Sequence, residues 1–456
     1  MNFLKKIFSP TILIISAVLL FYTFYQSEIY WSGKQRSYYL IYYLILSVLT
    51  IFSIISFFIS SKLKEYFIIL VISIVFSLYL FEGYLILKEN LANSIILKEK
   101  LNKKEKNKIL KAKLYKKKTE KEWDTRSKMQ IYKDLKKKNN NIVVTVAPEN
   151  FVDNKYSIFP LSGVSNAETI YCNENGYYSI YRSDRFGFNN PDSEWEAKEI
   201  EYLLVGDSFV HGACVNRPYD ITSILRNLSN KSSLNLGYAS NGPLIEYATL
   251  KEYLGKNVKK VLWIYFEGND LGNLLFELNY KQLTDYINIS NHTQNLNHKQ
   301  KDINKILIDT IKTQAKEQID KSKKKQNFNF EITNFMKIYN TRNLLLSNNL
   351  PKIPLPFADF KKILRKTKDL TNKNNSKLYF IYLPEYQRYN SNYNNNNYDL
   401  VKNIVSDINI PFIDIHKEVF EKEKNPLSLF PFELNGHYNE YGYNKIAKTI
   451  FQLTKN

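Results

Sequence analysis

The sequence has little glycine and almost no cysteine, and both shortages restrict its class. The 14 glycines among 456 residues are about half of the usual ~7%, so each one is a candidate for a special backbone position. Two cysteines cannot build a disulfide framework or a four-cysteine zinc site, although they allow one disulfide outside the cytoplasm. Because neither H-E-x-x-H nor C-x-x-C occurs, we expect no metal and no other cofactor.

The positive charge is concentrated in one segment. The chain has 64 Lys or Arg against 44 Asp or Glu, a net charge of +20, but residues 101–140 alone hold 16 basic and 5 acidic residues. A nucleic-acid binder is the obvious alternative for such a segment. Its lysines have few aromatic residues between them and match no known nucleic-acid-binding module, so we expect no nucleic-acid partner. The 44% hydrophobic content also excludes a largely disordered chain.

Long apolar runs occupy the first hundred residues. Residues 7–27 and 37–61 contain no charge, and residues 66–87 are interrupted only by Glu82. Each run is near or above the ~18–20 residues that a helix needs to cross a bilayer. We therefore predict a transmembrane region over residues 1–87, with the lipid bilayer as a partner. No small-residue cleavage site follows the first run, so an uncleaved anchor is expected.

The orientation of these spans stays open in the sequence. The positive-inside rule gives conflicting counts, because lysines before the first span and between the second and third are matched by basic residues elsewhere. The two sets are Lys5, Lys6, Lys62 and Lys64 on one side, and Lys34, Arg36 and the lysines after the third span on the other. We expect a bacterial inner-membrane protein whose C-terminal domain is extracytoplasmic, with this ambiguity unresolved.

The segment 88–141 is predicted to be a helical connector. Residues 88–140 are rich in lysine and contain neither glycine nor proline, which favours a charged helical stalk. The alternative is a helix that lies along anionic lipid head groups, where clustered lysines gain ~1 kcal/mol each.

Short apolar runs then alternate with amphipathic stretches over residues 142–456. Continuous apolar runs are typical of buried parallel strands, and their alternation with helices predicts an α/β domain with helices on both faces of the sheet. Functional residues in such domains lie at the carboxyl ends of the strands. The predicted strands are Ile200–Val205, Leu234–Leu236, Val258–Phe266, Leu378–Leu383 and Ile410–Ile413.

Polar motifs follow these strands. Gly206-Asp207-Ser208 comes after the first, Ser240-Asn241-Gly242 after the second and Gly268-Asn269-Asp270 after the third, and Asn435-Gly436-His437 precedes the last helix. In this order the four blocks resemble the SGNH/GDSL hydrolase superfamily, over about residues 160–456. The resemblance implies a flavodoxin-like three-layer α/β/α domain and an ester-cleaving serine enzyme.

The resemblance also implies a role for each block. Ser208 would be the nucleophile and would contribute its own N–H to an oxyanion hole. Ser240 or Gly242 would offer a second N–H, and the side chain of Asn269 a third donor. One such donor is typically worth ~3 kcal/mol. His437 would be the general base.

The family aspartate that orients the histidine has no counterpart here. Asn435 and Leu434 occupy its usual places, and Glu433 lies four residues before His437. Three alternatives follow: a Ser–His dyad aided by a backbone carbonyl, a slower variant oriented by Asn435 or Glu433, or an enzyme that uses a distant carboxylate.

Two further segments complete the expected domain. Residues 142–199 are predicted to be a β lead-in beside the serine loop, and residues 272–350 a helical insertion that serves as a lid or substrate platform. Cys172 lies in the lead-in and Cys214 lies six residues after Ser208. They form either a disulfide or two buried free thiols.

The resulting hypothesis is a membrane-anchored serine esterase or O-acyltransferase. Its expected substrates are acyl esters, above all O-acetyl esters of cell-envelope glycans, processed through an acyl-Ser208 intermediate. The alternative is an inactive envelope protein that keeps the fold for binding or assembly, which the missing aspartate favours. A Ser208–His437 distance beyond hydrogen-bonding reach would support that alternative.

Overall fold

The structure is a computed structural model of the whole chain. It describes residues 2–31, 33, 36–151, 156–255, 257–321, 332–346, 355–390, 393 and 397–455. Lys34, which enters the charge count of the first loop, lies outside the described residues, as do parts of the 272–350 insertion.

The described residues contain eight strands and sixteen α-helices. The strands are β1 Ile142–Val144, β2 Glu168–Ile170, β3 Ile180–Arg182, β4 Ile200–Gly206, β5 Ser233–Asn235, β6 Val258–Phe266, β7 Lys377–Leu383 and β8 Phe412–Asp414. The helices are α1 Asn2–Phe24, α2 Arg36–Ile55, α3 Ser61–Thr119, α4 Lys128–Lys136, α5 Ser208–His211, α6 Ile221–Ser229, α7 Pro243–Tyr253, α8 Asp270–Glu277, α9 Lys281–Asn288, α10 Gln300–Lys321, α11 Ile332–Met336, α12 Tyr339–Leu346, α13 Phe357–Lys373, α14 Tyr398–Asp407, α15 Ile415–Glu418 and α16 Glu440–Thr454. A π-helical turn, Tyr25–Tyr30, extends α1.

Within the described residues, three helices are long and apolar enough to cross a membrane. They are Lys5–Tyr30, Arg36–Ile55 and Ser61–Lys88, with mean hydropathies of 2.1, 2.1 and 2.2. Most of their large side chains are exposed, as expected where lipid replaces a protein core. The sequence prediction of an N-terminal membrane region is confirmed.

The chain forms two compact units. The first combines residues 1–105 with the described residues 332–346 of the insertion, and the second contains the described residues from 106 to 321 and from 355 onward. The long helix α3 begins in the first unit and ends in the second. Residues 106–141 of the predicted connector belong to the second unit.

The second unit starts with a small sheet in the predicted β lead-in. Strand β2 pairs parallel with β1 and antiparallel with β3. Helix α4 packs on this sheet through Met129 and Ile131, which are both buried in the main core. Ser127 and Gln130 form a reciprocal capping box at the start of α4, which explains why a helix begins within this lysine-rich sequence.

The main sheet is parallel and has five strands in the order β5-β4-β6-β7-β8. Counted from β4, this is the flavodoxin-like order 2-1-3-4-5. Alternate residues of β4 enter two different cores: Leu203 and Val205 pack with α7 and α13, and Tyr202 and Leu204 pack with α6 and α16. The predicted three-layer α/β/α fold is confirmed. The central stretches of β4, β6 and β7 are apolar because both faces of the sheet are covered there.

Candidate active site

Ser208 lies at the carboxyl end of a central strand. Strand β4 ends at Gly206 and the short helix α5 begins at Ser208. Between them, the carboxylate of Asp207 accepts the backbone N–H of Phe209 at 2.8 Å, and the Ser208 hydroxyl lies 3.2 Å from Asp207 Oδ2. Asp207 thereby fixes the turn, and the half-buried Ser208 side chain lies at the edge of the sheet where parallel α/β folds place their sites.

His437 lies directly against Ser208. Its Nε2 atom is 2.9 Å from Ser208 Oγ, a distance at which the ring can take the hydroxyl proton. Asn439, two residues later, caps α16 by accepting the N–H of Gly442, and its amide donates to the backbone carbonyls of Ser428 and Phe430. These bonds hold the loop that carries His437, because they tie the loop at its junction with α16.

The carboxylate beside His437 belongs to Glu174 in the β lead-in. Glu174 Oε1 lies 3.1 Å from His437 Nδ1, and Oε2 accepts the backbone N–H of His437 at 2.6 Å. The expected orienting residues are corrected here: Glu433 accepts from the side chain of Asn425, and the Asn435 carbonyl accepts from Lys111. Of the three alternatives from the sequence, the geometry matches the distant carboxylate.

The charges of Glu174 and His437 stabilise each other. Burial lowers the pKa of His437, but the Glu174 carboxylate more than compensates and holds that pKa above its ordinary value. Burial raises the pKa of Glu174, but His437 and Lys111 outweigh it and keep that pKa below the usual range. The pair is thus arranged to favour an imidazolium ion beside an ionised carboxylate, which is the state that forms when His437 takes a proton.

A close approach at Gly436 makes this contact possible. A Cβ atom at Gly436 would lie 2.6 Å from Glu174 Oε2, so a side chain at this position would push the carboxylate away from His437. On the adjacent side, the ammonium group of Lys111 donates to the Asn435 carbonyl at 2.8 Å. Burial lowers the pKa of Lys111, and the neighbouring Glu174 raises it.

Lys111 belongs to the C-terminal part of α3, which lies in the second unit. Tyr115, one turn later, packs edge-on against Trp123 and Phe432. The turn that carries Glu174 approaches this tyrosine at Gly176, whose φ of +93° and 2.4 Å clearance from the Tyr115 ring both require a glycine. The end of the predicted stalk therefore packs against the turn that carries Glu174.

A disulfide joins the turn of Glu174 to the segment after the nucleophile. Cys172 and Cys214 are bonded at a sequence separation of 42. The Asn175 amide adds a hydrogen bond to the Cys214 carbonyl at 2.9 Å. Of the two alternatives left open for these cysteines, the structure has the disulfide. The atoms of Glu174, Cys214 and His437 lie within 4.8 Å of one another, but a disulfide sulfur is not the thiolate that a metal site uses.

The two expected oxyanion donors of the turn after β5, Ser240 and Gly242, differ in whether their N–H groups are already hydrogen-bonded. Gly242 begins α7, and its N–H donates to Glu277 Oε1 at 2.6 Å, so it is not available to a substrate. Ser240 has a φ of +64° and its carbonyl accepts from the Asn273 amide. Its own N–H has no hydrogen-bond acceptor among the described residues. Ser240 is therefore the donor that this turn offers, and its role stays a prediction.

Asn269 follows β6 at the same edge of the sheet. It precedes α8, and its Oδ1 atom is buried without a hydrogen-bond partner among the described residues. The atom that would donate to an oxyanion is Nδ2, and the orphaned Oδ1 atom does not by itself establish that role. The assignment of Asn269 as the third oxyanion donor remains a prediction.

The other histidines lie in different surroundings. His211 is fully buried, with Nε2 2.7 Å from the Tyr181 hydroxyl and Nδ1 accepting the Ala239 N–H. Burial lowers the pKa of His211 to about 3, so it stays neutral and holds the lead-in against the turn after β5. His416 contacts Tyr389 and Glu421, away from Ser208.

No protein-family model and no curated protein matches this chain. Several solved structures are similar to it, and two of them are described here. One is a protein from Desulfitobacterium hafniense DCB-2 described as lipolytic and of the G-D-S-L family, with 12% identity and a TM-score of 0.32, covering 56% of this chain and 99% of its own. The other is an acetyl xylan esterase, AlAXEase, with 12% identity and a TM-score of 0.31, covering 56% of this chain and 100% of its own. At these values, only the strand order and side-chain geometry of this chain bear on its function.

Glu174 is the candidate site residue that sequence reasoning missed. It lies 34 residues before Ser208 and 263 before His437, so no local motif connects the three. One signal was present: Glu174 lies two residues after Cys172, and a bond from Cys172 to Cys214 brings that turn to the nucleophile segment.

Proposed function

We propose that this chain is a membrane-anchored serine esterase or O-acyltransferase of the SGNH/GDSL type. The observation that supports it is the continuous relay from Ser208 Oγ to His437 Nε2 at 2.9 Å and from His437 Nδ1 to Glu174 at 3.1 Å. A nucleophile, a base in contact with it and a carboxylate that orients the base are the parts that acyl transfer requires. The same geometry argues against an inactive binding protein, because such a protein does not need these three side chains within hydrogen-bonding distance of one another.

The reaction starts with attack of Ser208 Oγ on the carbonyl carbon of an ester, while His437 Nε2 takes the hydroxyl proton. Glu174 stabilises the resulting imidazolium ion, and the N–H groups of Ser208 and Ser240 and the amide of Asn269 are the proposed donors to the oxyanion. The carbon–oxygen bond to the alcohol then breaks, and the alcohol leaves with the proton from Nε2. The product of this half-reaction is an acyl ester on Ser208.

In the second half, an incoming hydroxyl gives its proton to His437 and attacks the acyl carbon. Ser208 Oγ then leaves and regains that proton. Water yields a free carboxylic acid, whereas a sugar hydroxyl yields a new ester. Our proposed substrates are O-acetyl esters of cell-envelope glycans, because a site anchored to a membrane by three spans meets polymers of the envelope.

The experiment that tests this function uses a fluorophosphonate probe on the purified full-length protein. The wild type should be labelled, and Ser208→Ala should lose both labelling and at least ~10⁴-fold in ester turnover. Ser229→Ala, a change outside the site, is the matched control and should be labelled normally. Equal labelling of the wild type and Ser208→Ala would contradict the assignment. Acetate release compared with transfer to an acceptor glycan then separates esterase from transferase activity.

We also propose that the catalytic unit is extracytoplasmic, at the bacterial inner membrane. The Cys172–Cys214 disulfide supports this, because such bonds persist in oxidising compartments. At one end of the spans, Lys5, Lys6 and Lys64 line a common groove, and Lys5 pairs with Glu65 at 2.5 Å. This lysine-rich end is the proposed cytoplasmic end.

A C-terminal alkaline phosphatase fusion tests this orientation, since the reporter is active only outside the cytoplasm. We expect an active reporter on the full-length chain. A fusion after Ser60, which follows the second span, should be inactive. An inactive C-terminal fusion with an active fusion at residue 60 would reverse the orientation.

A further inference from the structure

Two helices of the insertion contact the third membrane span. Helices α11 and α12 lie between β6 and β7 in the chain, yet they belong to the same compact unit as residues 1–105. The Tyr79 hydroxyl in α3 donates to the Met336 carbonyl at 3.1 Å, and the Tyr79 ring lies 5.2 Å from that of Phe335. This part of the insertion is thus placed against a lipid-facing helix.

Glu82 provides a specific attachment for the start of α12. Its carboxylate accepts the N–H of Asn340 at 2.9 Å, the N–H of Thr341 at 2.7 Å and the Thr341 hydroxyl at 2.8 Å. These N–H groups belong to the first turn of α12, where no carbonyl of the helix itself can accept them. Glu82 is completely buried, which is consistent with a carboxylate whose hydrogen bonds have replaced water.

The position of Glu82 fixes the depth of this contact. The candidate span is Ser61–Lys88, so Glu82 lies about 9 Å from the end of the span at ~1.5 Å per residue. A helix that begins at this level lies next to the boundary between acyl chains and head groups. Tyr79, which contacts α11, lies nearly one turn deeper in the same span.

Three large apolar side chains of the two helices are exposed. Ile332 and Met336 are each 65% exposed, and Leu344 is 55% exposed. On the same stretch of α3, Leu80 and Tyr84 are also exposed. Exposed apolar side chains on helices that contact a membrane span favour lipid over water as their neighbour. Lys337 between the helices is exposed and long enough to extend toward the head groups.

We propose that α11 and α12 form a fourth membrane-contacting element, immersed at the acyl-chain boundary and held there by Glu82. Ile332, Met336 and Leu344 contact lipid acyl chains. The insertion in the catalytic sequence is then a second attachment to the bilayer, in addition to the three spans.

Lipid quenching of a site-specific fluorophore tests this proposal. The only two cysteines are bonded to each other, so a single introduced cysteine can be labelled selectively. Met336→Cys and Leu344→Cys carry the label in full-length protein reconstituted into phosphatidylcholine–phosphatidylglycerol vesicles that contain an acyl-chain spin-labelled lipid. Phe76→Cys on the exposed face of α3 is the lipid-contacting control, and Lys305→Cys on α10 is the control in the catalytic unit.

We expect the labels at positions 336 and 344 to be quenched like the label at 76, and the label at 305 to be unaffected. Quenching at 336 and 344 as weak as at 305 would overturn the proposal. Glu82→Leu should reduce quenching at 344 and leave quenching at 76 unchanged, whereas Glu65→Leu should change neither. If Glu82→Leu leaves the label at 344 fully quenched, Glu82 does not hold the element and that part of the inference is wrong.

Discussion

Glu82 in the first unit and Glu174 in the second unit each bind a segment that is distant in sequence, but their hydrogen-bond partners differ in kind. Each carboxylate accepts backbone N–H groups from a segment far along the chain, 258 and 259 residues away for Glu82 and 263 for Glu174. All the donors to Glu82 are amides and a hydroxyl, which do not titrate near neutral pH. Glu174 instead shares its second oxygen with a histidine ring. The difference between an anchor and a candidate catalytic group is the ionisable partner.

Among the substitutions that test this comparison, neutralising Glu174 should reduce catalytic activity most. Glu174→Gln removes the charge opposite Nδ1, and kcat for ester cleavage should fall ~10³–10⁴-fold with little change in KM. His437 must be neutral to accept a proton, so activity rises with pH through its pKa. Since Glu174 raises that pKa, the acid limb of kcat/KM should move to lower pH in the variant.

The matched control for this measurement is Glu433→Gln, because Glu433 is nearer to His437 in sequence but binds Asn425. Its activity should remain close to that of the wild type. A larger loss in Glu433→Gln than in Glu174→Gln would show that the local carboxylate orients His437. By contrast, we expect Glu82→Gln to alter the docking of α12 rather than the pH profile.

Removal of the disulfide should cause the second largest loss of activity, because the disulfide positions Glu174 only indirectly, through the backbone. Cys172→Ser with Cys214→Ser should lower the free energy of unfolding by ~2–4 kcal/mol and reduce kcat about tenfold or more as the turn loosens. Combined with Glu174→Gln, it should add no further loss in kcat. An additive loss would mean that the disulfide supports a different part of the site.

Removing the charge of Lys111 should cause the smallest loss in kcat. It should shift the pH profile in the direction opposite to that of Glu174→Gln. Lys111→Met deletes one charge-assisted hydrogen bond, worth ~1.5–3 kcal/mol, to the loop of His437. The expected loss in kcat is about tenfold. Because Lys111 lowers the pKa of His437, the acid limb should move to higher pH.

Lys113→Met is the control for Lys111, since Lys113 is exposed on the same helix and should leave the pH profile unchanged. A shift to lower pH in Lys111→Met would contradict the electrostatic contribution. An equal shift in both variants would attribute the effect to the overall charge of α3.

Local patterns predicted much of this molecule. The long apolar runs predicted three spans, and the short apolar runs predicted the five strands of the main sheet, with β6 at its observed bounds of Val258–Phe266. Ser208 and His437 were found because each follows or precedes a regular element in a short motif. The bounds of the connector were harder to predict, since α4 is lysine-rich but buries Met129 and Ile131.

What the sequence determined by itself was the set of elements and the two polar residues at their ends, because hydrophobic periodicity and strand-end position are local properties. Only the tertiary structure decided which carboxylate faces His437. Glu433 is near it in sequence, but its carboxylate binds Asn425, and the backbone carbonyl of Asn435 binds Lys111. The disulfide and the close approach at Gly436 place Glu174 beside His437 instead. It also decided that residues of one insertion contact a membrane span through Glu82. Both contacts join segments more than 250 residues apart, and such proximity depends on packing that no local pattern encodes.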